Sequence, residues 1–205
     1  MKLMRPIEPK WHEYSGHIHF HTTYSDGNGS FEEVARAAEE AGLDFLIPTD
    51  HNVLVPEPDG RRSSVLVLVG EEVNDKEREP DANHLLVMGI ERDVFDYKEP
   101  QAIIDAVIAQ GGLSFLAHPI ERGSRYFSKK FPWLDWKVRG YDGIELWNFM
   151  SECKSYVNSK PVGLLLSYLP QIFVRGPWPE VLTLWDRLTA HRPVVAIGGL
   201  SLIHI

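Results

Sequence analysis

Three histidines at alternate positions, followed by an acidic turn, are the residues of this sequence with the clearest capacity for chemistry. They are His17, His19 and His21, and the turn is Ser25-Asp26-Gly27. In a β-strand the side-chain period is two, so the three imidazoles would point to one face. Imidazole suits Zn, Mn, Fe and Ni, so the spacing predicts a metal site without identifying the metal. A His-rich surface strand is the alternative, whereas an affinity tag would be a contiguous run.

Further polar residues follow short apolar runs, which is where active-site residues lie in parallel α/β proteins. The segments are Thr49-Asp50-His51, Gly70-Glu71-Glu72 and His118-Pro119, and His84 stands at the entrance of a fourth run. Taken singly, His51 is as readily a turn residue, and Glu71 and Glu72 could begin a helix or lie in a solvated turn. One of the two carboxylates could instead reach a metal from the strand end.

Strands and helices alternate along the sequence, and this rhythm predicts an α/β fold. Ser30 and Glu33 have the capping-box spacing, which predicts a helix from Phe31 to Ala41. Further helices are predicted over 100–110 and 178–191, and a partly helical segment over 151–169 is interrupted at Pro161. The predicted strands cover 43–48, 65–69, 84–89, 113–117, 143–147 and 193–197.

The segment 120–140 is a loop rich in aromatic and basic residues, and it directly follows His118. It is placed to form a substrate lid in which Arg122 and Arg125 would meet an anionic group. A solvated insertion is an equally good interpretation of the same residues.

Composition limits the classes of function. The chain has 205 residues, 43% of them hydrophobic, so it can bury one core and a single domain is expected. A net charge of −8 argues against general nucleic-acid binding, which needs a basic surface. No apolar stretch is long enough for a membrane span, and no signal peptide is evident. Cys153 is alone, so we expect no intrachain disulfide and a reducing, cytoplasmic location.

Together and in this order, these motifs resemble the polymerase and histidinol phosphatase (PHP) superfamily. The resemblance rests on five segments, His19-x-His21-Thr22-x-x-Ser25-Asp26-Gly27, Thr49-Asp50-His51, Gly70-x-Glu72, the His84 strand and Ala117-His118-Pro119. It implies a distorted (β/α)7-type barrel with metal ligands at the strand ends. Tyr14-Ser15-Gly16 and Trp185-Asp186-Arg187-Leu188 look most similar to the CehA/McbA-like metallohydrolases, a branch that includes ester and carbamate hydrolases.

The resemblance also implies a ligand set. His19 and His21 would hold one metal with Glu72, which would bridge to a second metal bound by His84 and His118. His51 and Asp26 match the position of a third ion. Asp50, and His17 where the family usually has Asp, would lie behind the ligands and orient them by hydrogen bonds. Glu71, one residue off the motif, is interpreted as a turn residue.

The expected domain layout is an N-terminal extension over 1–14, a PHP-like domain over 15–199 and a tail over 200–205. The family continues its last Gly-Gly with Ser-Asp-x-His, whereas this chain has Leu200 to Ile205, and His204 is not at the matching position. We therefore expect the domain to be incomplete at its C-terminus. A natural variant with fewer metals is the alternative.

The expected function is hydrolysis of a small anionic phosphate ester by a metal-activated water held near Glu72, His19 and His21, with two or three divalent ions (Zn, Mn or Fe). A carboxyl ester or carbamate hydrolase of the same superfamily, and a degenerate non-catalytic metal-binding module, are the alternatives. Proofreading in a polymerase would need a much larger chain.

Overall fold

A computed structural model describes residues 11–56 and 59–201. Most of the expected N-terminal extension, and the tail after Ser201 including His204, lie outside the described residues. The described strands are β1 (Gly16–Ile18), β2 (Phe45–Ile47), β3 (Thr49–His51), β4 (Gly60–Arg62), β5 (Val65–Val67), β6 (Gly70–Val73), β7 (Leu85–Met88), β8 (Leu113–Leu116), β9 (Gly143–Asn148) and β10 (Val195–Gly199). The α-helices are α1 (Phe31–Glu40), α2 (Pro100–Ala109), α3 (Phe149–Tyr156), α4 (Lys160–Tyr168) and α5 (Pro179–Thr189), and a 3₁₀ turn covers Pro170–Ile172.

The strands form two sheets in a mixed α/β fold. One sheet has the order β1-β2-β5-β4 and the other the order β10-β9-β8-β7-β6-β3. The chain passes from the first sheet to the second between β2 and β3, returns between β3 and β4, and passes to the second sheet again between β5 and β6. Backbone hydrogen bonds continue across these junctions, from Thr49 N–H to the Phe20 carbonyl (2.9 Å) and from Gly70 N–H to the Pro48 carbonyl (2.9 Å). The two sheets are therefore joined by continuous backbone.

Strand β7 runs antiparallel to both of its neighbours, whereas β3 with β6, β8 with β9 and β9 with β10 are parallel. The chain enters β7 from β6 through a loop without a helix, and a connection without a crossover favours antiparallel pairing. Leu85, the first residue of β7, pairs with Val73 at the end of β6 and with Leu116 at the end of β8. The entrance of β7 thus lies at the same edge as the carboxyl ends of the strands around it.

Helix α1 forms as its capping box predicts. Ser30 accepts a hydrogen bond from Glu33 N–H, and the Glu33 carboxylate accepts one from Ser30 N–H. In the partly helical segment, Pro161 lies in the first turn of α4, where its missing N–H costs nothing. The interruption instead falls between Tyr156 and Lys160, and Ser159 caps α4.

Glu71 is not a turn residue. It lies in β6 and is completely buried, and one of its carboxylate oxygens accepts a hydrogen bond from Val94 N–H. Burial raises the pKa of this carboxyl to about 7. The acidic pair looked like the end of a strand because carboxylates are rare in fully buried strands.

The largest core cluster packs β7, β8 and β9 against α2, α5 and the segment 120–140. Ile144 is completely buried there, in the same cluster as Trp133 and Val181. The core holds in place the strands whose ends carry the candidate site residues.

We expect Ile144→Ala to lower the free energy of unfolding by about 2–5 kcal/mol, because it removes a buried side chain and leaves a cavity. Urea denaturation followed by circular dichroism measures this change. Ile108→Ala is the matched control, since Ile108 is 51% exposed on α2, and it should change stability by no more than about 0.5 kcal/mol. Equal effects of the two substitutions would contradict this description of the core.

Candidate metal centre

A single buried carboxylate, Glu72, stands at the centre of five imidazoles. Its Oε2 lies 3.1 Å from His19 Nε2, 3.3 Å from His21 Nε2 and 3.4 Å from His51 Nδ1. Its Oε1 lies 2.8 Å from His84 Nδ1 and 3.2 Å from His118 Nε2. The two oxygens thus divide the imidazoles into a group of three and a group of two.

Each of these residues lies at the same edge of the sheets. His19 follows β1, His51 ends β3, Glu72 is in β6 and His118 follows β8. His51 pairs with Glu72 in the β3–β6 register. His84 joins them from the entrance of β7 because that strand runs in the opposite direction.

The backbone reaches this arrangement through two unusual conformations. His19 has a φ of +60° and His118 a φ of +28°, so both lie where non-glycine residues are uncommon. Strand β1 ends at Ile18, and the simple alternation predicted for His17, His19 and His21 does not continue through the motif. His19 and His21 both reach Glu72, whereas the His17 ring packs edge-on against Phe20, 5.8 Å between centroids. Among the described residues, His17 Nε2 has no hydrogen-bond partner, so the structure does not bring it to the ligands.

Three of the imidazoles have a hydrogen-bond acceptor behind them, on the side away from Glu72, whereas His21 Nδ1 has the Asp26 carboxylate nearby but no hydrogen bond to it among the described residues. His19 Nδ1 lies 2.7 Å from Glu145 Oε1, and His21 Nδ1 lies 3.2 Å from Asp26 Oδ1. His84 Nε2 lies 3.1 Å from Asp81 Oδ1, and His118 Nδ1 lies 3.1 Å from the Phe131 carbonyl. A neutral imidazole that donates its N–H outward presents a lone pair inward, which is the arrangement of metal-binding histidines.

Inward lone pairs facing a carboxylate repel it unless a cation lies between them. Proton uptake relieves this repulsion when no other cation is bound. Burial lowers the pKa of His19, but Glu145 and Glu72 outweigh it and raise the pKa to about 10. Burial likewise lowers the pKa of His84, and Glu72 and Asp81 raise it to about 9. The negative charges of Glu72, Glu145 and Asp81 therefore strongly favour the binding of cations at this site.

The donor set suits divalent metal ions. Three groups have ligand atoms within 4.8 Å of one another, namely His19 with His21 and Glu72, His21 with Asp26 and His51, and His51 with Glu72 and His84. His51 Nδ1 is buried and lacks a hydrogen-bond partner among the residues that the structure describes. Nitrogen and carboxylate donors together fit Zn, Mn or Fe. The residues thus fit the kind of cluster that the sequence resemblance implied.

Glu145 is a site residue that the sequence did not reveal. It is completely buried in β9 and also accepts hydrogen bonds from His118 N–H (2.8 Å) and from Asn148 Nδ2. Burial raises the pKa of this carboxyl, but the charge of His19 outweighs the burial and lowers it. The available signal was a lone carboxylate inside the apolar strand Gly143–Asn148. Asp81, in the loop before β7, was also missed.

Asp50 has a different task from the one expected. Its carboxylate accepts hydrogen bonds from Thr22 N–H (2.8 Å), Thr22 Oγ1 (2.9 Å) and Ser25 Oγ (2.7 Å). No described hydrogen bond joins it to an imidazole. Asp50 therefore fixes the turn that carries His21 and Asp26, and so it positions ligands through the backbone.

An open cavity of about 700 Å³ lies over the cluster. Its walls include Tyr24, Ser25, Asn52, Asn74, Lys76, Glu121, Lys129, Phe131, Ser151, Lys154 and Ser201. Arg122 and Arg125 do not line this cavity. The Arg122 guanidinium pairs with Glu180 (2.6 Å) and stacks over Trp178, and Arg125 N–H donates to Asn158.

The segment 120–140 forms a fixed wall of the cavity. Asn83 accepts a hydrogen bond from Leu134 N–H (2.6 Å) and donates one to Asp135 (2.6 Å). Trp133 is only 2% exposed within the main core. These contacts attach the middle part of the segment to the entrance of β7 and to the core.

The mixed sheets, the buried histidine–carboxylate cluster and its cavity define a class of α/β protein with a candidate metal centre. The PHP domain model matches residues 17–190, and the chain belongs to this family. A sequence comparison with curated proteins gave no match.

Solved structures share the fold at low sequence identity. One is a two-domain protein from Bacteroides vulgatus that contains a predicted PHP-like metal-dependent phosphoesterase, with 17% identity, a TM-score of 0.59 and 93% of this chain covered. The chain spans only about half of that protein, 52% of its length. A second, from Bifidobacterium adolescentis, was proposed to be a metal-dependent phosphoesterase, with 14% identity, a TM-score of 0.58, and 95% of this chain and 89% of that chain covered. A third is an amidohydrolase from Chromobacterium violaceum with bound sulfate and no metal, with 15% identity, a TM-score of 0.50, and 93% and 88% covered.

We expect Glu145→Gln to weaken binding of Zn²⁺ or Mn²⁺ by about tenfold to a hundredfold, because the variant loses the charged acceptor that orients His19. Isothermal titration calorimetry of metal-free protein measures the change. Glu40→Gln removes an equal charge from the exposed end of α1 and should leave metal affinity unchanged. Unaltered affinity in a folded Glu145→Gln protein would show that this carboxylate does not support a ligand.

Proposed function

We propose that the protein is a metal-dependent hydrolase that cleaves phosphate esters of small molecules at the cluster around Glu72. The observation that carries this proposal is the division of one buried carboxylate between two groups of imidazoles. Membership of the PHP domain family supports the same conclusion.

The charge of the cluster favours an anionic substrate. Five of its donors are imidazoles, which are neutral when they bind metal, and the carboxylates in the candidate groups are Glu72 and Asp26. Glu145 and Asp81 behind the imidazoles add two more negative charges. Two divalent ions would balance these four carboxylates, and a third ion would leave a surplus of positive charge facing the cavity. A phosphate ester is stabilised by such a surplus more than a neutral carboxyl ester is.

The side chains would supply binding, orientation and proton placement. Divalent ions held by His19, His21, Asp26, His51, Glu72, His84 and His118 would supply Lewis acidity and an activated water. Glu145, Asp81 and the Phe131 carbonyl would keep the imidazole protons on the outer nitrogens. The cavity is within the size range of small-molecule sites.

We also propose that the two sheets form the seven-stranded barrel of the family. In this proposal β2 and β3 form one bent strand, β5 and β6 form another, and β4 is an additional strand at the edge of its sheet. Seven barrel strands then remain. Ser201 N–H donates to the His19 carbonyl (2.6 Å), which supports contact between the last barrel strand, β10, and the first, β1.

A reducing, cytoplasmic location remains part of the proposal. Cys153 supports it as a free and buried thiol. Among the described residues, no helix has the length and apolar character that a bilayer-spanning segment needs.

Metal-loaded protein should hydrolyse p-nitrophenyl phosphate, lose this activity on treatment with a chelator and regain it with Mn²⁺ or Zn²⁺. Glu72→Gln should reduce turnover to background, because it removes the carboxylate that both imidazole groups share. Glu71→Gln is the matched control. Glu71 is the adjacent residue, but it faces the core and should retain activity.

The same assay with p-nitrophenyl acetate and an aryl carbamate separates this proposal from the CehA/McbA-like alternative. Faster metal-dependent hydrolysis of either of these compounds would overturn the choice of substrate. Metal binding without hydrolysis of any of the three would instead indicate a non-catalytic module.

A further inference from the structure

The cavity over the cluster is lined by three lysines, although the protein as a whole carries a net charge of −8. Two of them are accounted for by their surroundings. Lys129 is largely exposed and pairs with Asp81 (3.2 Å), and Lys76 is exposed on the loop that follows β6. Lys154 is different because it is half-buried. Its ammonium has no ion pair or hydrogen bond within the described part of the chain.

Lys154 faces the cavity from α3, the helix that directly follows β9. Ser151 and Lys154 are three residues apart on this helix, so they share a face, and both line the cavity. Helix α3 is anchored beside the cluster, because Asn148 caps it at Ser151 N–H while donating to Glu145. The position of Lys154 relative to the cluster is therefore set by rigid elements.

Two carboxylates could be counterions of Lys154, Glu121 on the wall of the same cavity and Glu152 on the same helix, but both are bound to other groups. Glu121 accepts hydrogen bonds from Ser151 Oγ (2.8 Å) and from Phe131 N–H (2.6 Å). Glu152 is almost completely buried and accepts from the Trp147 indole, the Tyr156 hydroxyl and the N–H groups of Arg175 and Gly176. An ammonium that lines the cavity and has no counterion among the described residues can pair with an anion that enters the cavity.

We propose that Lys154 binds a second anionic group of the substrate, a carboxylate or a phosphate, while the scissile phosphate lies at the Glu72 cluster. This inference rests on the proposed function and narrows its substrate class to small molecules with two anionic groups. Lys154 thereby takes the role that the sequence suggested for Arg122, whose guanidinium is paired with Glu180.

Steady-state kinetics with a matched pair of substrates tests the role of Lys154. With metal-loaded protein, kcat/KM should be higher for 3-phosphoglycerate than for glycerol 3-phosphate, which lacks the carboxylate. Lys154→Met should lower kcat/KM for 3-phosphoglycerate about tenfold, the effect of losing one charge-assisted hydrogen bond, and leave the value for glycerol 3-phosphate within about twofold. Lys160→Met removes the same charge from the exposed start of α4 and should change neither. An equal loss for both substrates, or no loss for either, would overturn the inference.

Binding of compounds that cannot be hydrolysed separates this inference from the proposed function. Calorimetry in Mn²⁺ should show that 3-phosphonopropionate and propane-1,3-bisphosphonate bind more tightly than propylphosphonate, and that Lys154→Met abolishes the difference. A preference for only one of the two would identify the second group as a carboxylate or a phosphate. If no phosphate ester is hydrolysed, the proposed function fails, but these ratios still decide the role of Lys154. Equal binding of all three to the unaltered protein, or a difference that persists in Lys154→Met, would contradict that role.

Discussion

The burial of the Glu72 carboxylate is the constraint on which the rest of the site depends. Its side chain is 1% exposed, and an ionised carboxylate at such a position is costly unless positive charge surrounds it. Burial alone would raise its pKa, but His51, His19 and His84 outweigh it and hold the pKa well below the usual range. The carboxylate is thus ionised and needs cations, whether protons on the imidazoles or metal ions between them.

Several features of the fold follow from this need to bring imidazoles to one point. Strand β7 runs against its neighbours, which places His84 at the common edge. His19 and His118 adopt left-handed backbone conformations, each at a cost of about 1–3 kcal/mol for a non-glycine residue. Glu145 offsets part of this cost, because its two oxygens accept from the His19 ring and from the His118 backbone. One buried carboxylate thereby holds two unusual backbone positions in place.

Local rules explain how much of this could be predicted from the sequence. The capping box at Ser30 and the apolar runs identified α1 and most strands, because these signals act over a few residues. The alternating histidines indicated His19 and His21, and the ends or entrances of apolar runs indicated His51, Glu72, His84 and His118. The resemblance to the PHP superfamily then implied that these residues form one ligand set. The contacts that decide which polar residues belong to the site could not be predicted, because they join segments that are far apart in the sequence. Asp50 binds Thr22 and Ser25, and Arg122 binds Glu180. No local sequence pattern indicates either set of contacts.

Glu71 and Glu72 show why residue type alone cannot define the site. They are adjacent in β6, both are almost completely buried, and the strand pleat sends them to opposite faces. Glu72 meets imidazoles and has a lowered pKa, whereas Glu71 meets the apolar core near Val94 and has a pKa of about 7. On one face of the strand the carboxylate of Glu72 is therefore a charged centre that attracts cations. On the other face the carboxyl of Glu71 is part of the core and has a higher pKa. The difference comes from the partners that the sheet brings to each face.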